Sequence, residues 1–272
     1  MNCEQCESGT VINGFTITRG GSYTGGGVRV FDNSDVEIYD NIFLANVTDF
    51  EGAGITVQRM SRSFIHDNEF RNNVSFRTSA ITVIVNSSAQ ITGNFFLRNR
   101  SADLASCIGV NASSVDIGWN RFVDNHSGNH GGTIDPYNSS ATIYNNTFIR
   151  NLSPSGASCI RSTGSVSAHN NLFAHNGGPA VSLADCTGFS CNYFYDNIQD
   201  VGSGCDPIGV NGNLNIDTMV CNPGANNCAV SMHSPCLTGP CGLVGVNPEY
   251  GCIDDVVPSE PTSWGSLKAL YG

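Results

Sequence analysis

Apolar and polar residues alternate in short stretches of this chain, and these stretches recur at a nearly constant interval. The phrase Asn-x-Phe-x-x-Asn occurs seven times, with first asparagines 27, 26, 26, 26, 25 and 21 residues apart. An apolar residue lies three positions before each first asparagine, and its alternate neighbours are polar, as Glu37 and Asp116 show. This period of two predicts a β-strand with one face turned inward. The seven copies are Asn41/Phe43/Asn46, Asn68/Phe70/Asn73, Asn94/Phe96/Asn99, Asn120/Phe122/Asn125, Asn146/Phe148/Asn151, Asn171/Phe173/Asn176 and Asn192/Phe194/Asn197.

Each repeat contains further strand-like segments but no helical stripe. A short apolar segment precedes the phrase, as in GAGITV and SAITVIV, and a third strand is expected after the phenylalanine. Without an apolar stripe of period 3.6 to cover a sheet, the coil has to close on itself and pair in parallel with the next coil. The sequence therefore predicts an all-β fold, a single-stranded right-handed parallel β-helix (solenoid) of about seven coils of roughly 26 residues.

Equivalent positions of successive coils are expected to stack in columns. The phenylalanines would form an inner aromatic stack, and the asparagines would form ladders at corners, where asparagine tolerates left-handed backbone and its amide both donates and accepts. Nine Asn-x-Ser/Thr sequons occur, and those at Asn46, Asn73 and Asn99 have the spacing of the ladder. We interpret these sequons mainly as by-products of asparagine corners followed by Ser/Thr turns rather than as glycosylation sites.

Charge narrows the range of partners. The formal net charge is −11, and Lys268 is the single lysine. This balance argues against nucleic acid or an anionic membrane as a partner, and mildly against an acidic polysaccharide. No apolar run reaches the length of a membrane span. The partner expected for the long polar face of such a β-helix is a polysaccharide or cell-surface glycan.

Twelve cysteines are present, and six of them fall between Cys205 and Cys252 without the spacing of a zinc site. They indicate disulfides and therefore an oxidising compartment. For the CxxC at Cys3 and Cys6, a local disulfide is favoured over a redox or metal role. Spacing alone does not give the connectivity. Cys236 and Cys241 are close enough in sequence to bond, as are Cys221 and Cys228. Cys107 and Cys159 are expected to be free thiols in the core.

The chain divides into three parts where the repeat fades. Residues 1–204 are predicted to form the β-helix, residues 205–252 a Cys-rich C-terminal cap, and residues 253–272 a linker and tail. A solenoid needs an atypical terminal element to cover its last coil, which is the role expected of the Cys-rich part. For the tail, a sorting or anchoring role and a frayed end or short helix on the last coil stay open.

These coils resemble the right-handed parallel β-helix repeat family of the pectate-lyase-like superfamily, in its exported bacterial form with a Cys-rich C-terminal module. The resemblance lies in the repeats, in SGTVINGFTITRGG at Ser8 to Gly21, and in NLNIDTMVC, SMHSPC and CGLVGV between Gly212 and Cys252. It implies a secreted or cell-surface protein. Complete members carry a signal peptide and earlier coils, so the resemblance also implies an N-terminally truncated record.

One neighbourhood has residues suited to glycoside hydrolysis. Asp116, Asp124 and Asp135 lie close in sequence to His126 and His130, and a glycosidase needs two carboxyl groups about 5 to 10 Å apart. Asp116, Asp124, Asp135 and His130 are therefore the candidate catalytic residues. No family catalytic motif matches them, and solvated turns or weak metal binding are the competing interpretations.

Cofactor binding is not expected, although calcium stays open as an alternative. A lyase would use arginine or lysine with calcium, but Arg29 and Arg161 are five coils, about 24 Å, apart. The alternating Asn211, Asn213, Asn215 and Asp217 suit a strand or turn better than a calcium loop. The favoured function is a non-enzymatic glycan-binding, adhesive or structural scaffold. The alternative is a polysaccharide lyase or glycoside hydrolase acting in a groove on the helix face.

Overall fold

The computed structural model describes residues 1–129, 131–221 and 229–246. In this part of the chain, the strands form four sheets in which all pairs are parallel, and the only α-helix is Pro235–Thr238. Each strand pairs with the strand about one repeat further along, as Ile65 does with Ile38 and Ile91. The predicted all-β parallel β-helix of about seven coils is confirmed.

Three sheets run along the whole helix and one covers only its beginning. Sheet 1 contains Asn2–Glu4, Val28–Phe31, Ile55–Gln58, Ile81–Ile84, Ile108–Asn111, Ile134–Tyr137, Ile160–Ser162, Pro179–Leu183 and Gln199–Gly204. Sheet 2 contains Thr10–Asn13, Asp35–Tyr39, Arg62–His66, Ser88–Thr92, Ser114–Gly118, Ser140–Tyr144, Ser165–His169 and Phe189–Ser190. Sheet 3 contains Thr16–Thr18, Ile42–Leu44, Glu69–Arg71, Phe95–Leu97, Arg121–Val123, Thr147–Ile149, Leu172–Ala174, Tyr193–Tyr195 and Leu214–Asn215. Sheet 4 contains Gly21–Thr24, Val47–Glu51, Val74–Ser75 and Arg100–Ser101.

The core is built from columns of identical or similar side chains. The seven repeat phenylalanines are fully buried and stack with ring centroids 4.7 to 5.0 Å apart. The apolar column of sheet 2, from Ile38 to Phe189, is buried beside them. Strands outside the seven phrases, such as Thr16–Thr18 and Leu214–Asn215, extend the same sheets at both ends. The predicted aromatic stack is therefore confirmed.

Two asparagine ladders run the length of the helix, as predicted. The side-chain oxygen of Asn146 accepts from both the backbone N–H and the amide of Asn120, 2.9 and 3.0 Å away. The first ladder continues beyond the last phrase to Asn213. The ladder sequon residues, Asn46, Asn73, Asn99, Asn125 and Asn151, are buried with their amides hydrogen-bonded. This burial supports the interpretation of those sequons as by-products of the ladder.

One detail of the corners differs from the expectation. The ladder asparagines do not have left-handed backbone; the residue before each of them does. Asp67 before Asn68 has a φ of 52°, and Trp119 before Asn120 has a φ of 59°. The ladder side chain must point inward to reach its neighbour, so the sharp bend falls one residue earlier.

The segment after residue 205 lies partly on the outer face of sheet 3. Outward residues of that sheet, including Leu172 and Tyr193, are buried against Val230, Cys236 and Val244. Its backbone is held by polar contacts: the Asn170 side chain donates to Leu243 O over 2.9 Å, and the Val246 N–H donates to Thr147 Oγ1 over 3.0 Å. The described part of the segment therefore covers a side of the helix as well as extending its end. The predicted linker and tail, 253–272, lie outside the described residues.

Disulfides connect this segment to the last coils. Bonds join Cys186 to Cys205 and Cys191 to Cys241, and Cys3 pairs locally with Cys6 as favoured. Cys107 and Cys159 are buried free thiols, as predicted.

The Cys236–Cys241 pair, which the spacing allowed, is not formed. Cys236 is a free, buried thiol, because it packs on sheet 3 while Cys241 reaches Cys191. Cys221 is disulfide-bonded, but Cys228 lies outside the described residues, so the predicted Cys221–Cys228 pair stays a prediction. No helix in the described ranges has the length and apolar character needed to cross a membrane.

Candidate functional site

A cleft lies over the middle of sheet 1, where one strand has no outward side chain. The outward positions of successive strands are Thr82, Gly109 and Asp135, which pair in register. Thr78 packs against Gly109, since a Cβ atom there would come within 2.3 Å of Thr78 Oγ1. The cleft has a volume of about 360 Å³.

Charged side chains from the segments that precede the sheet 1 strands form one wall of the cleft. Glu51, Arg77 and Asp103 line it there, and Tyr137 and Asn111 line the opposite end of the strands. Arg77 Nη1 lies 3.5 Å from Glu51 Oε1. Burial raises the pKa of Glu51, and the Arg77 charge opposes this rise. The cleft thus combines carboxylates, guanidinium groups and hydroxyls.

Asp135 is the most constrained ionisable residue of the cleft. Its side chain is 5% exposed, and its Oδ2 accepts a hydrogen bond from Arg161 Nη1 over 3.1 Å. Its Oδ1 is buried and has no hydrogen-bond partner among the described residues. Burial raises the pKa of Asp135 to about 6; Arg161 opposes the rise and the nearby Asp103 adds to it. Such a half-satisfied, desolvated carboxylate is typical of functional sites.

A hydroxyl on the other side of Gly109 is also unsatisfied. Thr82 is 2% exposed, lines the cleft, and its Oγ1 has no partner within the described ranges. Thr82 and Asp135 are two coils apart, which is about 10 Å at the usual strand spacing. Two residues that line the cleft, Asp135 and Thr82, thus each have one buried polar atom without a hydrogen-bond partner among the described residues.

Asp116, by contrast, lies on another face of the helix. It is an exposed residue of sheet 2 and lines a separate, open groove of about 560 Å³ with Gln90 and Thr142. The groove carries a row of serines at equivalent positions of four successive coils: Ser88, Ser114, Ser140 and Ser165. It is a polar surface without a buried ionisable group.

Asp124 lies at a corner after sheet 3, and its carboxylate forms an ion pair with Arg150. Its two oxygens accept from Nε and Nη2 of Arg150, both over 2.8 Å. Its φ of 54° places it at the left-handed position before ladder residue Asn125. His126 extends sheet 4 by bridging Arg100 and Leu152, and His130 lies outside the described residues. The structure therefore places Asp116 on sheet 2, Asp124 at a corner after sheet 3 and Asp135 on sheet 1.

The residues that do share the cleft with Asp135 were not found from the sequence. Glu51, Arg77 and Asp103 lie four, four and five residues before the sheet 1 strands that begin at Ile55, Ile81 and Ile108. A charged residue that recurs four or five residues before a sheet 1 strand is the sequence pattern from which these residues could have been predicted. No group of three or more His, Cys, Asp or Glu side chains in the described ranges is placed to hold a metal ion.

Comparisons with protein-family models, with curated proteins and with solved structures found no match to this chain. The fold is that of a parallel β-helix scaffold stabilised by disulfides. None of these comparisons supports the pectate-lyase-like resemblance or identifies a carbohydrate ligand.

Proposed function

We propose that this protein is a secreted or cell-surface β-helix that binds a glycan in the cleft over sheet 1 and acts as a non-enzymatic adhesive or structural scaffold. The observation that carries the proposal is the pair of buried, unpartnered atoms, Asp135 Oδ1 and Thr82 Oγ1, on either side of Gly109. Sugar hydroxyls can donate to the carboxylate and can donate to or accept from the threonine hydroxyl. Such a ligand would satisfy groups that the protein leaves unsatisfied.

The disulfides support the location outside the cell. Cys186–Cys205 and Cys191–Cys241 connect separate parts of the chain, and bonds of this kind persist in oxidising compartments. The resemblance to exported members of the pectate-lyase-like superfamily belongs to the same proposal. The net charge of −11 favours a neutral or cationic partner over an acidic one.

The architecture supports a scaffold role. The stacked phenylalanines and two asparagine ladders fix each coil to the next through buried contacts. Interiors packed in this way deform little. A ligand site on such a rod would keep its geometry under load, which suits adhesion.

A glycan array followed by titration calorimetry tests the proposal. Asp135→Asn and Thr82→Val each remove one of the two unsatisfied groups while keeping side-chain size. We expect each to weaken binding of any glycan found by about tenfold or more, the loss of one hydrogen bond to a charged or buried group. Asp116→Asn, on sheet 2, is the matched control and should leave affinity unchanged. Equal affinity in Asp135→Asn, or no glycan bound by the native protein, would overturn the proposal.

A glycoside hydrolase is the second candidate, and one observation favours it. Asp135 has a pKa raised to about 6, and Asp103, a second carboxylate of the same cleft, is near enough to add to that rise. A carboxyl group that stays partly protonated up to about pH 6 is suited to general-acid catalysis in mildly acidic solution, with a second carboxylate as base or nucleophile. Release of reducing ends from neutral glycans, abolished by Asp135→Asn and retained in Asp116→Asn, would establish this activity. Turnover unchanged by Asp135→Asn would exclude the cleft as its site.

The lyase alternative stays a proposal with less support. Its chemistry calls for a free arginine or lysine base. Arg161 is engaged with Asp135, and Arg29, on the same sheet, lies over the ring of Phe31. Calcium, as the cofactor of such a lyase, would need oxygen ligands from several side chains.

A further inference from the structure

We propose that the sheet 1 cleft selects sugars that carry a protonated amine over uronic acids and N-acetylated sugars. The inference rests on the proposed function, because it names the class of sugar that the same cleft would bind. It follows from the charges that line the cleft, from the pairing of its arginines, and from the unsatisfied oxygen of Asp135.

The charged side chains that line the cleft favour a cationic sugar. Three carboxylates, Glu51, Asp103 and Asp135, and two guanidinium groups, Arg77 and Arg161, line the cleft. Their formal charges at neutral pH sum to 3 negative minus 2 positive, or one net negative charge. The whole chain carries −11. A cationic sugar is attracted by both fields, and an anionic one is repelled by both.

The two arginines of the cleft are already paired with carboxylates of the protein. Arg161 is hydrogen-bonded to Asp135 over 3.1 Å, and Arg77 lies 3.5 Å from Glu51. A uronate could recruit either guanidinium only by competing with a carboxylate that the protein already supplies. The carboxylate left behind would then be buried without its partner, which is strongly unfavourable. The arginines therefore position the acids rather than offering an anion site.

The unsatisfied Oδ1 of Asp135 favours a charged hydrogen-bond donor. Asp135 Oδ1 accepts no hydrogen bond from the described residues, and its carboxyl group is 5% exposed. An ammonium group supplies donors and an opposite charge, which makes a stronger hydrogen bond than a neutral hydroxyl does. In a desolvated site the attraction is also less screened than in water. An acetylated amine keeps one donor and loses the charge.

The opposite sides of the cleft also suit a cationic amino sugar. Thr82 Oγ1 lacks a partner and can accept from a sugar hydroxyl or ammonium. Tyr137 lines the cleft with half of its surface exposed, and aromatic rings attract cations. A sugar whose amine meets Asp135 would leave its remaining hydroxyls near these two side chains.

Titration calorimetry with three sets of length-matched oligosaccharides tests the inference: glucosamine, N-acetylglucosamine and galacturonic acid oligomers. The titrations are made at about pH 6.5, where Asp135 is more than half ionised and a substantial fraction of the sugar amines is protonated, because neighbouring oxygens lower the pKa of an amino sugar below that of an alkylamine. We expect the glucosamine oligomer to bind at least tenfold more tightly than the other two, with affinity falling as salt increases. In Asp135→Asn this preference should shrink to less than threefold, whereas the sheet 2 control Asp116→Asn should keep it.

The outcomes separate the inference from the proposed function. Equal or tighter binding of the N-acetylated or galacturonic acid oligomer, weakened by Asp135→Asn, would overturn the amine preference and keep the glycan cleft. A preference for glucosamine that is unchanged in both Asp135→Asn and Thr82→Val would place the amine elsewhere and overturn the inference. Absence of binding by any oligosaccharide would overturn both. Circular dichroism of each variant establishes that it is folded before its affinity is compared.

Discussion

The guanidinium of Arg161 donates a hydrogen bond to Asp135 Oδ2 over 3.1 Å, from the neighbouring coil of the same sheet. The pair satisfies one oxygen of the carboxylate and leaves Oδ1 buried without a partner among the described residues. The guanidinium thus stabilises the ionised form of Asp135, while burial destabilises it more strongly. This opposition makes Asp135 sensitive to pH.

The dependence of stability on pH should change in Asp135→Asn. The pKa of Asp135 rises from the usual 3.8 to about 6 in the folded protein, so the folded state binds the proton more tightly than the unfolded chain does. The resulting stabilisation is complete below about pH 4 and lost as the pH rises through about 6. Native protein should therefore lose about 2 to 3 kcal/mol relative to Asp135→Asn across this window. Urea unfolding at a series of pH values measures it, and parallel curves for the two proteins would contradict the assignment.

Truncating one member of the aromatic stack should destabilise the β-helix strongly. Phe122 is fully buried, with Phe96 and Phe148 each 4.7 Å away. Their strands are fixed by the sheets, so they cannot close the cavity left by Phe122→Ala. We expect a loss of about 3 to 5 kcal/mol in the free energy of unfolding. Phe64→Ala, at an exposed position of sheet 2, is the control and should cost far less; a loss below about 1 kcal/mol for Phe122→Ala would contradict the packing.

Removing one ladder asparagine should cost several hydrogen bonds at once. Asn120 donates to Ile91 O and to Asn146 Oδ1, and its own Oδ1 accepts from Asn94. Asn120→Ala leaves these buried groups unsatisfied, so we expect a loss of at least about 2 kcal/mol. Asn13→Ala, an exposed asparagine outside the ladders at the end of the strand Thr10–Asn13, should change stability by less than about 0.5 kcal/mol. Chemical denaturation of both variants makes the comparison, and similar losses would show that the ladder contributes little.

The disulfide pattern gives a prediction for mass spectrometry. Peptide mapping of the unreduced protein should recover Cys186 with Cys205 and Cys191 with Cys241. Cys236 should be alkylated only after unfolding, since it is a free thiol buried on sheet 3. Removing the bond that spans 50 residues, by Cys191→Ser with Cys241→Ser, should destabilise the protein by about 2 to 4 kcal/mol. A Cys236–Cys241 peptide would contradict this pattern.

The coils, the phenylalanine stack and the ladders could be predicted because they repeat. Ile38, Ile65 and Ile91 recur at the spacing that brings their strands into register. The spacing along the sequence therefore predicts which side chains are in contact. The left-handed residue before each ladder asparagine could not be found in this way. Its position is occupied by residues as different as Asp67, Trp119 and Arg150, because only the backbone conformation is shared.

The C-terminal segment and the cleft have no such periodicity. The contact of Asn145 with Leu243 joins residues 98 positions apart, and no repeat connects them. Asp135 could be found as a carboxylate in a sheet 1 strand. Its companions Glu51 and Asp103 come from segments that precede other strands of the same sheet, and Gly109 makes room for Thr78 by having no side chain.

A crystal structure of the protein with the best-binding oligosaccharide would show where on the β-helix the sugar lies. We predict a sugar unit in the cleft over Gly109, with one of its donors within hydrogen-bond distance of Asp135 Oδ1 and another polar atom near Thr82 Oγ1. Sugar bound instead along the serine row of sheet 2, with the cleft over Gly109 unoccupied, would contradict the account.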